Sequence, residues 1–365
     1  MWKHRVEYSN RLPLELAINA LSTLLYQKRR EGVPVLDLTE SNPTHAGIVY
    51  PASSFTANLG SYEPEPFGLL SAREFIANNY NASPDRAVLT ASTSEAYSWL
   101  FKLFCDPGDE VLIPRPSYPL FEYLAALESV AVRNYSLFYD HGWFIDFHTL
   151  RNAITPRTRA IVLVNPNNPT GHFLKRHELA ELVSFGLPIL SDEVFRDYLL
   201  DPAPDSVQTL QDTPDALVFT LNGLSKAVGL PQMKLAWMIA TGPAEQALQR
   251  LELIADTYLS IGTPVQMALP QLLAGKEAVQ GQITRRSQKN LAFLRASGLR
   301  TLNVEAGWYA VVAYPEEAVH ALLRDHNVLV QPGYFYDFET AGYIVISLLT
   351  PEEIFREGVS RLQRG

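Results

Sequence analysis

Apolar residues recur at Leu14, Leu16, Ile18, Leu21, Leu24 and Leu25 with a helical period, and Gly32 then stops the run, so the spacing predicts a helix over 14–31. Short β-branched and aliphatic runs follow at 87–91, 110–114, 159–164, 187–190 and 217–221. Helical patterns stand between them, as at 94–104 and 175–184. Continuous rather than alternating apolar runs, interleaved with helices, predict an α/β protein with a mostly parallel sheet covered by helices on both faces. After about residue 242 the rhythm changes. Helices are expected at 243–256 and 278–296, then shorter strands at 308–313, 328–331 and 343–348, and a last helix at 351–363, which reads as a smaller α+β unit.

Composition narrows the class. Of 365 residues 47% are hydrophobic and 19% charged, which suits a folded chain and excludes a disordered one. At roughly 100–200 residues per domain, two domains are expected. The formal charge of −9, with no basic run longer than Lys28-Arg29-Arg30, argues against nucleic acid as a partner. No stretch approaches the roughly 18 apolar residues of a membrane span, and Met1–Glu7 lacks the apolar core of a signal peptide. The single cysteine, Cys105, forbids an internal disulfide and a cysteine-based zinc site, and the eight histidines form no His-Glu-x-x-His pair, so no metal is expected and a cytoplasmic location is. Glycine-rich dinucleotide, Walker and nucleophile-elbow motifs are absent.

Ligands of an open α/β sheet bind beyond the carboxyl ends of its strands. The predicted strand ends run into Ser92-Thr93-Ser94-Glu95, Pro116-Ser117-Tyr118-Pro119, Asn165-Pro166-Asn167-Asn168-Pro169-Thr170-Gly171, Ser191-Asp192-Glu193 and Gly223-Leu224-Ser225-Lys226. Singly, each has a plain explanation: a helix cap, a turn, a core aromatic, a solvated lysine. Converging on one crevice, they supply an anion-binding helix start, an aromatic face, an amide, a carboxylate and an amine. Pyridoxal 5′-phosphate needs that set: N–H groups and hydroxyls for its phosphate, a stacking partner for its ring, a carboxylate for its pyridine nitrogen and a lysine for its aldehyde.

The order of these elements resembles the fold-type I aminotransferases, classes I and II, over about residues 36–363. The family's Asn-Pro-x-Gly matches Asn168–Gly171, its Asp-Glu matches Asp192-Glu193, and its Ser-Lys Schiff-base element matches Ser225-Lys226. The run at 106–112, the Pro-x-Tyr-Pro at 116–119 and Pro332-Gly333 fit as well. The resemblance implies a large cofactor-binding domain over 41–260 and a small domain built from 1–40 and 261–365. It implies that Lys226 carries the cofactor and moves the reacting proton, Asp192 pairs with the pyridine nitrogen, Asn168 bonds the ring oxygen and Tyr118 stacks on the ring. Thr93, Ser94, Ser225 and Lys234 would hold the phosphate. Tyr62 would reach the neighbouring subunit's phosphate, which implies a homodimer with shared active sites.

Three departures bear on mechanism. Phe195 stands where the family often has a tyrosine bonding the ring oxygen, with Tyr198 nearby as an alternative donor. Lys234 replaces a phosphate-clamping arginine, and Gly223 a serine. Most consequentially, Val345 occupies the position of the arginine that grips the substrate's α-carboxylate, leaving Arg115, Arg196, Lys234 or the backbone near Ser41-Asn42 as stand-ins. Trp308-Tyr309 and Tyr334-Phe335-Tyr336 are expected near the substrate mouth or in the small-domain core. The expected activity is ping-pong transamination between an amino donor and a carbonyl acceptor. The alternatives are a lyase or cyclase on the same fold, or a non-catalytic cofactor-binding protein.

Overall fold

The computed structural model describes residues 19–49 and 64–364. An eight-stranded sheet forms its centre, in the order Ala87–Thr90, Ala236–Thr241, Val218–Gly223, Ile189–Asp192, Thr158–Val164, Glu110–Arg115, Ala131–Tyr139, Trp143–Ile145. Five adjacent strands, from Val218–Gly223 through Ala131–Tyr139, run parallel. Ala236–Thr241 runs against both its neighbours, and Trp143–Ile145 closes one edge antiparallel to Ala131–Tyr139.

The predicted strands are present with ends moved by a residue or two. Ala131–Tyr139, Trp143–Ile145 and Ala236–Thr241 are additional to them. Ala131–Tyr139 is buried only over Tyr135–Leu137, with Arg133 and Asn134 breaking its apolar run, so it carries no continuous hydrophobic signature.

The apolar residues of the central strands split between two cores. Val111, Ile113, Val162, Val164 and Leu190 pack with Tyr97, Leu100 and Phe101 of the Thr93–Phe104 helix on one face, while Leu112, Ile161, Leu163 and Ile189 face the other. This two-sided burial is the period-2 consequence of a sheet covered on both sides.

A three-stranded antiparallel sheet follows, Tyr309–Ala313, Tyr343–Ser347 and Gln331–Pro332, backed by the Lys276–Ala296 and Glu352–Leu362 helices. The single strand expected at 328–331 is split. Val328–Leu329 pairs instead with Leu36–Asp37, so the chain near the first helix joins this smaller unit. That helix runs Ala20–Arg30, with the Asn19 side chain accepting from Ser22 N at 2.8 Å; residues 14–18 of its expected span lie outside the described residues. No helix among the described residues is long and apolar enough to cross a membrane.

Candidate active site

The carboxyl ends of the parallel strands open into a cleft of about 330 Å³. Thr93, Ser94, Tyr118, Asn168, Asp192, Ser225, Lys226 and Lys234 all line it. Tyr62 lies outside the described residues.

The phosphate-sized corner is built by a helix start. Ser92 caps the Thr93–Phe104 helix, its Oγ accepting from Glu95 N at 3.1 Å, while Glu95 Oε2 accepts from Ala91 N at 2.6 Å. The cap fixes the start of the helix, and Ser92, Thr93 and Ser94 all line the cleft at its positive end. Lys234 reaches the cleft from a left-handed backbone (φ 51°) after the Pro231–Met233 turn. Gly223, at the position where the family has serine, is required by packing: a Cβ there would lie 2.8 Å from Ala236 Cβ.

At the deep end, Asp192 ends the Ile189–Asp192 strand and is buried. Burial pushes its carboxyl up to about 6, against the pull of the Val194 N–H, 3.2 Å from Oδ1, and of the Lys226 charge; Glu193 adds to the rise and the Tyr97 hydroxyl opposes it. Lys226 follows Ser225 in a single helical turn, Leu224–Ala227, whose Lys226 carbonyl accepts from the Tyr198 hydroxyl. Burial lowers its ammonium to about 8, and Asp192 works the other way. Its Nζ lies 4.9 Å from the Trp308 ring centroid and 5.5 Å from that of Phe195.

Asn168 sits on the Asn168–Gly171 turn with its amide oxygen buried and unpartnered. The turn is fixed from two sides. Asn167 Nδ2 donates to Pro116 O and Thr170 Oγ1, and Gly171 O accepts from Glu305 N and Ala306 N. Gly171 (φ +70°) must be glycine here, because a Cβ would stand 2.6 Å from Ala306 O. Tyr118, 39% exposed, offers its ring at the mouth, set edge-on against Phe121.

The smaller sheet also enters the cleft. Tyr309 lines it, and Trp308 is packed at its wall with Phe195 and Tyr198, ring centroids 5.0 and 4.9 Å away. Tyr334–Tyr336 does not line it; that turn packs beside Ser117, whose N–H donates to Tyr336 O. Tyr198, weighed as an alternative donor to the ring oxygen, already spends its hydroxyl on the Lys226 carbonyl. Trp308 beside the lysine was not foreseen as such, since nothing local in Gly307-Trp308-Tyr309 marks a partner some 80 residues earlier.

Residues 61–362 match the model of the aminotransferase class I and II family. The chain belongs to that family. It is 33% identical over 273 residues to the glutamate-pyruvate aminotransferase AlaA of Escherichia coli (strain K12), an alignment covering 70% of this chain and 67% of that protein. Among solved structures it is similar to an alanine aminotransferase from Pyrococcus furiosus (TM-score 0.85, 24% identity, covering 98% of this chain and 99% of the other) and to an aminotransferase from Escherichia coli (TM-score 0.84, 24% identity, 99% and 98%).

The protein is therefore a transaminase that uses pyridoxal 5′-phosphate and works by a ping-pong scheme. The donor set in the cleft fits that group. A buried carboxylate held near 6 suits a protonated ring nitrogen, the Asn168 amide N–H lining the cleft suits a ring oxygen, and a helix start with two hydroxyls and a lysine suits a phosphate.

Proposed function

We propose that the cleft transfers an amino group from a primary amine to a carbonyl acceptor without gripping the donor by an α-carboxylate. The observation that carries this reading is the burial of Val345. It sits mid-strand between Val311 and Gln331, fully enclosed, in an apolar cluster with Tyr336 and Val311. Of the stand-ins, Arg196 is held by Glu193 at 3.1 Å, by Thr209 and by Gln211, and lies over the Tyr80 ring. Among the described residues, Lys226 and Lys234 are the cations that line the cleft, and Arg115 does not line it. Lys234 stands with Thr93 and Ser94 on the phosphate side. Its other walls include Ser41, Val164, Val194, Phe195 and Tyr309. Burial raises the Tyr309 phenol, against hydrogen bonds with the Ser41 and Trp308 side chains that lower it, and the Glu40 carboxylate adds a lesser rise. A neutral or apolar donor body suits such walls; an unpaired carboxylate does not.

In this reading the bound cofactor supplies an electron-poor ring that accepts the charge left when a proton leaves the donor carbon. Lys226 Nζ holds the cofactor, then takes that proton and returns it one position along. Asp192 keeps the ring nitrogen protonated, Asn168 bonds the ring oxygen, and Tyr118 covers one ring face. Thr93, Ser94, Ser225, Lys234 and the first N–H groups of the Thr93–Phe104 helix bind the phosphate. The reading includes a large domain over 41–260, a small one from 1–40 and 261–365, and a homodimer in which Tyr62 reaches the other copy's phosphate.

A second reading, an α-amino-acid donor, is favoured by the similarity to the glutamate-pyruvate aminotransferase AlaA of Escherichia coli. One panel separates them: the holoenzyme's visible band is followed with amines lacking an α-carboxylate and with α-amino acids, and the carbonyl product is identified. Band loss and carbonyl product with the simple amines support the proposal; conversion by α-amino acids alone overturns it. Release of ammonia, carbon dioxide or a cyclic product in place of the carbonyl compound would point to lyase or cyclase chemistry.

A further inference from the structure

Lys226 is enclosed by rings as well as by the cleft. Its Nζ lies 4.9 Å from the centroid of Trp308 and 5.5 Å from that of Phe195. These two rings meet edge to face at 81°, and Tyr309 meets Phe195 at 85°. Tyr198 closes the group from behind, packed on Trp308 at 4.9 Å while its hydroxyl holds the Lys226 carbonyl. Trp308 is fully buried, its indole N–H beside the Tyr309 hydroxyl and its faces packed against Phe195 and Tyr198.

We propose that Trp308 is a positioning residue for the proton-moving lysine: its indole face, braced by Phe195 and Tyr198, holds the freed Lys226 side chain by a cation–π contact whenever that side chain carries its proton and is not joined to the cofactor. The inference rests on the reading of Lys226 as the cofactor lysine. A four-carbon side chain released into a cleft would otherwise sample many rotamers. A ring 4.9 Å away limits them and stabilises the ammonium form in a place where burial disfavours it. Among the described residues, Asp192, from the Ile189–Asp192 strand, is the charged group that acts on the amine, and Lys234 and the Tyr309 phenol line the same cleft. Because Trp308 precedes the Tyr309–Ala313 strand, the smaller sheet supplies the resting place of a lysine carried by the larger one.

The test uses the full chain loaded with pyridoxamine 5′-phosphate, the cofactor form that leaves the lysine amine free. The pH dependence of Lys226 acylation by an amine-directed reagent is read by peptide mass spectrometry. Trp308→Leu removes the π face, and the labelling midpoint is expected to fall by about one pH unit. Trp308→Phe, which keeps a ring, is expected to restore more than half of that shift. A residue that only excludes water would act with the opposite sign, since admitting water relieves the burial penalty and raises the midpoint. An unchanged or raised midpoint in Trp308→Leu, with the cofactor's absorbance showing that the variant still binds it, overturns the proposal. So does Trp308→Phe behaving like Trp308→Leu. Failure of the underlying reading looks different: Lys226→Ala would then keep the visible band that the aldehyde form of the cofactor gives with wild type.

Discussion

At the scale of the residue, the site is a set of groups held away from their ordinary protonation balance by burial. Asp192 is the plainest case. Its folded-state carboxyl, near 6, lies above the ordinary 3.8, so the native state without cofactor favours the protonated form. Stability from this group is fully present below the unfolded value near 4 and is lost as pH rises through 6. The loss amounts to about 3 kcal/mol at most. Relative to Asp192→Asn, the cofactor-free wild type is therefore expected to lose thermal stability between about pH 4 and 6.5. Thermal melts of both chains across the window read that difference, to which Asp109, Glu178 and Asp325, whose carboxyls are lowered, contribute equally in each. A difference of the opposite sign would refute the burial argument.

Phe195 makes a second prediction at this scale. It lines the cleft without a hydroxyl, and Tyr198 cannot lend one because its own is committed. Phe195→Tyr would add a donor to the ring oxygen and relieve its negative charge. The pH midpoint of the visible absorbance is expected to fall by about one unit. No movement, or a rise, in a spectrophotometric titration would rule the hydroxyl out as the missing element.

At the scale of elements, the cleft depends on close approaches that leave no room for a side chain. Gly223 ends one strand 2.8 Å, measured from an added Cβ, from the Ala236 Cβ of its antiparallel neighbour. Gly223→Ser, which restores the residue usual in the family, is expected to destabilise this protein by about 1–3 kcal/mol through overpacking. Ala236→Gly in the same chain should recover part of the loss. Urea midpoints of the single and double variants test the pair, and strict additivity would show that the two positions do not compete for space. The same logic explains why the family's serine is absent: its space has been given to Ala236.

At the scale of the whole molecule, two sheets must be held in register for Trp308 and Tyr309 to meet Lys226. A buried ion pair helps to do so. Lys175 Nζ lies 2.6 Å from Glu305 Oε2, which also accepts from Phe173 N at 2.7 Å, and both side chains are largely buried. Glu305 is three residues from Trp308, while Phe173 and Lys175 follow the turn that carries Asn168. Glu305→Leu strands a buried lysine and leaves a backbone N–H unpaired, and is expected to cost about 3–5 kcal/mol. Because it loosens both the Asn168 turn and the Trp308 segment, cofactor retention in gel filtration should fall together with the urea midpoint. A variant that loses stability but keeps full cofactor occupancy would separate the two effects.

What could be read without coordinates follows from chemistry that is local in the chain. Parallel strands buried on both faces leave continuous apolar runs, and a strand end that feeds a binding cleft carries its polar group within a few residues. For that reason the sheet, the α/β class and Thr93, Ser94, Tyr118, Asn168, Asp192, Ser225, Lys226 and Lys234 were all legible as one converging set. The strands at 131–139 and 236–241 were not. The first is only partly buried, and the second owes its place to a reversed pairing between Ala87–Thr90 and Val218–Gly223 that no local pattern encodes. The missing arginine at Val345 was visible as a letter. That its place is closed by packing against Val311, and that Trp308 faces the lysine, were decided by contacts between segments 34 and 82 residues apart, and that Arg196 is tied to Glu193, three residues before it, by the local turn and its burial. The sequence by itself determined which chemical groups are present and at which strand ends they stand, because those follow from side-chain type and periodicity. Only the tertiary structure decided which of them are free to act, because a hydrogen-bond partner, a charge neighbour and a buried wall are properties of packing between distant parts of the chain.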